Sequence, residues 1–213
     1  MILYSIVILT CMAIIIALNS FFGMGASALG ASAGYVVFAV VVSVAASIAI
    51  DGLLAYFAHR LPARKINPYL KVYAVSNRER RLYERLRIKK WKDCLPDLGK
   101  ICCGFGKGKI EDPSSCEYLY KYMEECVYGE IAHAVSLFLG FLVLFIFPFK
   151  YALYITLPVA FVNFVLNLLP VMALRYNRSK LMILYKRKER TSLAAQSVDN
   201  TQSTHSQEQP KAS

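Results

Sequence analysis

The chain has 213 residues, a formal net charge of +11, 56% hydrophobic residues and a mean hydropathy of +0.41. These values occur together only where apolar and charged residues occupy separate stretches, which excludes a soluble domain with interleaved charges. Residues 1–58 contain no Lys or Arg, whereas residues 59–128 hold 16 of the 25 basic residues. The sequence therefore predicts an all-α integral membrane protein whose basic surface meets a lipid bilayer and not a nucleic acid.

Apolar residues form four long runs, and a membrane-spanning helix needs about 20 such residues. The runs cover residues 2–22, 34–58, 131–149 and 151–174. Pro148 is a turn signal, and only three residues, 149–151, separate the cores of the last two runs, so these should form a tight antiparallel hairpin. We expect about four transmembrane helices.

The distribution of basic residues predicts the topology and the division of the chain. Of the 25 basic residues, 24 lie in residues 59–128 or after residue 174, and Lys150 is the exception. The positive-inside rule places both basic stretches, and both termini, in the cytoplasm of a multi-pass cell-membrane protein. Four segments follow: two helices with a short outer loop (1–58), a basic interfacial segment (59–128), a helical hairpin (129–190) and a Ser/Gln/Thr-rich disordered tail (191–213).

Two features of the first segment have alternative interpretations. Small residues around Ala28 and Ala33 resemble signal-peptide cleavage sites, although no basic n-region precedes the first run, so cleavage stays open. Asp51 is costly within a bilayer unless it is paired or lies near the interface.

The basic segment is typical of an interfacial structure. Residues 77–92 predict a helix that lies in the plane of the head groups with its apolar face towards the lipid. Residues 99–115 predict a loop whose Gly104–Lys109 stretch lacks the spacing of a phosphate-binding P-loop. The six cysteines form no CxxC pair, so we expect free thiols and no bound metal, and the role of this loop stays open.

Each of the last two apolar runs has a pair of polar residues at its start or within it. Glu130 and His133 lie one helical turn apart, which lets a carboxylate orient an imidazole that acts as a general base. Asn163 and Asn167 share one face of the next helix, as a binding site for a polar ligand or as a contact between helices. Pro170 should kink that helix.

Cationic and aromatic residues follow the last of these pairs in the sequence. Arg175, Tyr176, Asn177 and Arg178 follow the fourth run, with Arg178 expected further from the membrane and better screened by water than Arg175. The arginines either bind phosphate or carboxylate or merely end the spanning helix.

The order of these motifs resembles the glycosyl-4,4′-diaponeurosporenoate acyltransferase family. The resemblance covers roughly residues 59–190 and rests on residues 59–62 and 89–93, the Glu130/His133 pair, Asn167 and residues 175–178. Ser179 departs from the proline that the family often has there.

The resemblance implies transfer of a fatty acyl group, with acyl-CoA as co-substrate and no bound cofactor, to a hydroxyl of a membrane glycolipid or glycosylated terpenoid, as in carotenoid biosynthesis. It implies that His133 is the base, that Glu130 orients it, and that Trp91, Lys92 and the arginines contact the donor. Asn177, Asn167 or Arg175 would bind the oxyanion. A membrane-embedded methyltransferase and a non-enzymatic scaffold stay open, as do the acceptor, the acyl length and the oligomeric state.

Overall fold

The computed structural model describes residues 2–21, 25–95 and 110–207, and these residues form helices and loops with no strand. The all-α prediction is therefore confirmed. Three stretches are long and apolar enough to cross a membrane: Ala33–Ala58, Cys116–Phe145 and Phe149–Leu193. The first apolar run forms a shorter apolar helix, so the structure contains three such spans and a fourth, shorter candidate.

The first two helices, α1 (Ile2–Ser20) and α2 (Ala33–Ala58), are joined by a loop that Asn19 holds in place. The Asn19 side chain accepts a hydrogen bond from the backbone N–H of Ala26 and donates one to the Tyr154 carbonyl, both at 2.9 Å. Gly25 has a φ of +65°, and a Cβ there would lie 2.5 Å from Asn19 Oδ1. The loop therefore needs glycine at this position.

The basic segment contains α3 (Ala63–Ile66), α4 (Asn77–Arg85) and α5 (Ile88–Trp91). The single helix predicted over residues 77–92 is wrong, because Arg87 adopts a left-handed φ of 52° and breaks it. The Ser76 hydroxyl caps α4 by accepting a hydrogen bond from the Glu79 N–H at 3.1 Å. The predicted loop lies mainly outside the described residues, as do Cys102 and Cys103; the four described cysteines are free thiols.

The hairpin consists of α6 (Cys116–Leu139), continued by a 3₁₀ turn, and α7 (Leu157–Gln207). Helix α6 begins at a Ser115 cap well before the apolar run, so the third span extends into the basic segment. A 3₁₀ turn at Phe149–Tyr151 and a π-helical turn at Ala152–Thr156 lead into α7.

Helix α7 is longer than the sequence predicts. It continues through Pro170 and past Arg190, where a disordered tail was expected, to Gln207. The physical reason is that no Gly or Pro interrupts the chain between Pro170 and Pro210. Residues 208–213 lie outside the described part of the chain.

Packing brings α6 alongside α7, with α2 against α6. One buried cluster joins α1, α2 and the start of the last span, around Val36, Val40 and Ile155. A second joins α6 and α7 around Met123 and Leu181, and a third docks α4 and α5 onto α7 through Tyr83 and Ile88. The second and third clusters therefore pack α4, α5 and α6 against α7.

Candidate active site

His133 lies on α6, partly buried, and faces α7. Its Nδ1 is 2.7 Å from Oδ1 of Asn167. The sequence placed both residues in the site without predicting this contact, which joins the two polar pairs of the hairpin.

Asn167 also contacts α2. Its Nδ2 donates a hydrogen bond to Oδ2 of Asp51 at 3.0 Å and another to the Asn163 carbonyl at 3.1 Å. An ionised carboxylate and a carbonyl only accept hydrogen bonds, so the amide nitrogen must face them and the amide oxygen must face His133. Hydrogen bonds thus join Asp51 to Asn167 and Asn167 to His133, and we call this set the aspartate–asparagine–histidine triad.

The triad places a proton on Nδ1 of the imidazole. Asn167 Oδ1 can only accept, so Nδ1 of His133 carries the proton. In the neutral ring, Nε2 is then the basic nitrogen. This is the tautomer that a general base needs if it takes a proton at Nε2.

Asn163 is a buried polar residue beside the triad, and Asp51, at one end of the triad, is half-buried. Of the two alternatives for Asp51, pairing or a position near the interface, the structure shows a partner, because the side chain accepts a hydrogen bond from Asn167. Asn163 Oδ1 accepts from Asn167 Nδ2 at 3.2 Å. Its own Nδ2 lies against Gly140, where an added Cβ would approach it to 2.4 Å. Gly140 therefore allows α6 to pass close to this amide.

Glu130 is surrounded by arginines. Arg175 Nη1 donates to its Oε1, and Arg178 Nη2 donates to its Oε2 at 2.8 Å. The sequence predicted Glu130 as the orienting partner of His133; the structure instead gives each carboxylate oxygen a guanidinium and gives Nδ1 of His133 the amide of Asn167. These contacts bring Glu130 together with the arginines of the motif at residues 175–178.

Glu79 completes this second cluster and was not predicted. Arg175 donates to both of its oxygens, through Nε at 2.6 Å and Nη2 at 3.1 Å, and Tyr83 donates to Oε1. Burial raises the pKa of the Glu79 carboxyl, but the hydrogen bonds from Arg175 and Tyr83 outweigh it and hold the pKa below its ordinary value. The Ser76-x-x-Glu79 capping pattern indicates the start of α4 but does not indicate the distant arginine.

Glu79, Glu130, Arg175 and Arg178, which we call the arginine–glutamate network, balance two negative and two positive charges. Arg178 is only 3% exposed and lies 5.6 Å from the Tyr73 ring, whereas the Arg175 side chain is 19% exposed. The expectation that Arg178 is the better solvated arginine is therefore wrong. Arg175 and Arg178 lie about one turn apart on the same face of α7, and both bind Glu130 of α6.

The remaining predicted residues fall into two groups. Tyr176 is buried with Tyr83 and Ile88, and Trp91 packs beside this cluster and donates to the Leu86 carbonyl at 3.1 Å. Both therefore pack the interfacial helices onto α7. Lys92 and Asn177 instead line one cavity of about 200 Å³.

The second histidine, His59, occupies a separate environment at the end of α2. Its Nδ1 lies 2.8 Å from the Ala55 carbonyl, and its ring stacks on Tyr128 with the centroids 4.9 Å apart. Glu125 Oε2 is 3.7 Å from its Nε2. These contacts tie the end of α2 to α6.

Comparison with known proteins gives one family. The model of the family described as glycosyl-4,4′-diaponeurosporenoate acyltransferase matches residues 66–187, which include the arginine–glutamate network, His133 and Asn167. Asp51 lies outside the matched residues. No curated protein and no solved structure matches the chain.

Proposed function

The chain belongs to the glycosyl-4,4′-diaponeurosporenoate acyltransferase family and is an acyltransferase, and on that premise we propose what it transfers and how. The donor is a fatty acyl-CoA, and the acceptor is a hydroxyl of a membrane glycolipid or glycosylated terpenoid. The reaction takes place at the cytoplasmic face of the cell membrane. Family membership favours this reaction over methyl transfer and over a scaffold role.

The observation that carries the proposal is the aspartate–asparagine–histidine triad. O-acyl transfer needs a base that removes the proton of an alcohol as the oxygen attacks. Asn167 fixes the orientation and tautomer of His133, and the charge of Asp51 holds the amide in the required direction. The carboxylate of Asp51, beyond the amide, also favours the positive charge that the imidazole acquires during the reaction.

The acyl group is transferred directly from the thioester to the acceptor, without an acyl-enzyme intermediate. The acceptor oxygen forms a bond to the thioester carbonyl carbon while its proton moves to Nε2 of His133. The tetrahedral intermediate then breaks its C–S bond, and the imidazolium returns the proton to the departing thiolate. The products are an ester and free CoA.

The arginine–glutamate network has a structural role beside the base in this proposal. Arg175 and Asn167 were candidates for oxyanion binding, but their donors are engaged with Glu79, Glu130, Asp51 and Asn163. Removing a guanidinium from such a buried pair leaves an uncompensated carboxylate, which costs about 3–5 kcal/mol. The network therefore holds α4 against α6 and α7, next to His133, and we assign it no direct contact with the thioester.

An assay with purified protein in lipid nanodiscs tests the proposal. Labelled acyl-CoA is incubated with a glycosylated terpenoid or a glycolipid, and the acyl ester and the released CoA thiol are quantified in parallel. We expect the two products to appear in equal amounts. Methyl transfer from S-adenosylmethionine without any acyl transfer would refute the proposal.

A further inference from the structure

The cavity that contains Lys92 and Asn177 combines cations with an apolar wall. Its polar side consists of Lys92, which follows α5, and of Asn177 and Lys180, one turn apart on α7. Tyr122, Leu181 and Leu184 form the apolar side. Two sequence motifs that are 85 positions apart, those of Lys92 and Asn177, thus meet at one concave surface.

The lysines of this cavity differ from Arg175 and Arg178 in the burial of the carboxylates with which they form ion pairs. Lys92 Nζ lies 2.9 Å from Asp93 and Lys180 Nζ lies 3.6 Å from Glu84, but these carboxylate side chains are 65% and 53% exposed. Exposed ion pairs contribute little and are readily exchanged. Arg175 and Arg178 instead bind Glu130, which is almost fully buried. An incoming anion can therefore recruit the lysines at low cost but not the arginines.

We propose that this cavity is a phosphate-recognition site for an amphiphilic ligand. The link between this site and catalysis rests on the proposed function. The ammonium groups of Lys92 and Lys180 and the amide of Asn177 bind the phosphate oxygens, and the apolar wall contacts the adjoining organic part.

The position of the cavity relative to the triad favours acyl-CoA as the source of the phosphate. Tyr122 and His133 are eleven residues apart on α6, which corresponds to about 16 Å along the helix axis. A ligand whose phosphates bind here and whose carbonyl reacts at His133 needs an extended arm between them. The pantetheine arm of CoA is such a spacer. A phospholipid head group is the other source of the same chemistry.

Binding of free CoA tests the site without catalysis. Isothermal titration with the full-length protein in phosphatidylcholine nanodiscs should show binding that the Lys92→Ala/Lys180→Ala double variant weakens by at least about tenfold, because charge-assisted hydrogen bonds are lost. Lys186→Ala, which removes an exposed lysine from the same helix, is the matched control and should bind normally. His133→Ala should also bind CoA normally although it cannot transfer.

A second arm measures phosphatidylglycerol retained by the same proteins in mixed nanodiscs, by native mass spectrometry. Lysine-dependent retention of this lipid without CoA binding identifies a phospholipid as the source of the phosphate. Binding of both ligands that is equal in the double variant and the wild type overturns the site, as does a Lys186→Ala variant with the same loss as the double variant. CoA binding without acyl transfer would refute the proposed function and leave this inference intact.

Discussion

The two polar clusters of this bundle use charge in opposite ways. The arginine–glutamate network contains four charged groups that neutralise one another, and its carboxylates and guanidiniums face inwards. The aspartate–asparagine–histidine triad contains one fixed charge, and a neutral amide separates that charge from the imidazole. The difference teaches that the cluster with four charges has these groups engaged with one another, whereas the cluster with one charge contains the imidazole that we propose as the base.

The largest effect should come from the triad. His133→Ala removes the base, and general-base contributions are about 10²–10⁴-fold, so acyl transfer should fall by that factor. The midpoint of thermal unfolding in detergent should change little. His205→Ala, near the end of α7, is the matched control. Near-normal turnover of His133→Ala would remove the base assignment.

Glu130→Ala should instead act on stability. It leaves the Arg175 and Arg178 guanidiniums without a shared carboxylate in a buried site, which should cost about 3–5 kcal/mol of unfolding free energy. Denaturant unfolding in mixed micelles measures this loss. Glu84→Ala removes an exposed carboxylate and should be close to neutral. A stable Glu130→Ala protein that has lost all transfer would reverse the comparison.

Asp51→Asn should identify a positioning role. The variant keeps the size of the side chain but removes the charge that orients Asn167. Loss of a partner that orients a metal-ligating histidine costs about 10–100-fold, and we expect a loss of activity of the same order here. We expect kcat to fall with KM unchanged. A variant with altered KM and normal kcat would show that Asp51 contacts substrate and does not orient the amide.

Substitution of the arginines by lysine should have smaller effects. Arg175 bridges Glu79 and Glu130 with a planar fork that a lysine cannot reproduce, so Arg175→Lys should lower stability by about 1–3 kcal/mol. Arg178→Lys retains the charge and loses fewer hydrogen bonds, so its effect should be smaller despite deeper burial. Equal and negligible changes in the unfolding midpoint would show that both residues only end the spanning helix.

The smallest effect should be a dependence on acid. The folded-state pKa of Glu79 lies below its ordinary value of 4.5, so its contribution to stability is present above that value and is lost as pH falls through the lower folded pKa. Hydrogen exchange of α4 should therefore accelerate over this acidic range. Glu79→Gln should flatten this dependence, and an identical acid profile in that variant would exclude Glu79 as its origin.

The sequence predicted the helices better than it predicted which side chains of different helices contact one another. Apolar runs defined α2 and the hairpin, and helical spacing placed Glu130 with His133 and Asn163 with Asn167. The contacts that define the site join Asp51 to Asn167 and Glu79 to Arg175, which are 116 and 96 positions apart. Such pairings depend on the rotation of each helix about its own axis, which hydropathy does not specify. The length of α7 was missed because polar composition suggested disorder, although nothing in the chain breaks the helix.

The position of Arg175 has a consequence for biosynthesis. Glu79 and Glu130 precede it in the chain, so both carboxylates leave the ribosome before the cation that binds them both. Helix α4 therefore cannot form its ion pair with Arg175 until α7 has been synthesised through Arg175. The last helix must therefore be made before Glu79 and Glu130 can be neutralised by Arg175, and a chain that stops before Arg175 lacks this cation for both carboxylates.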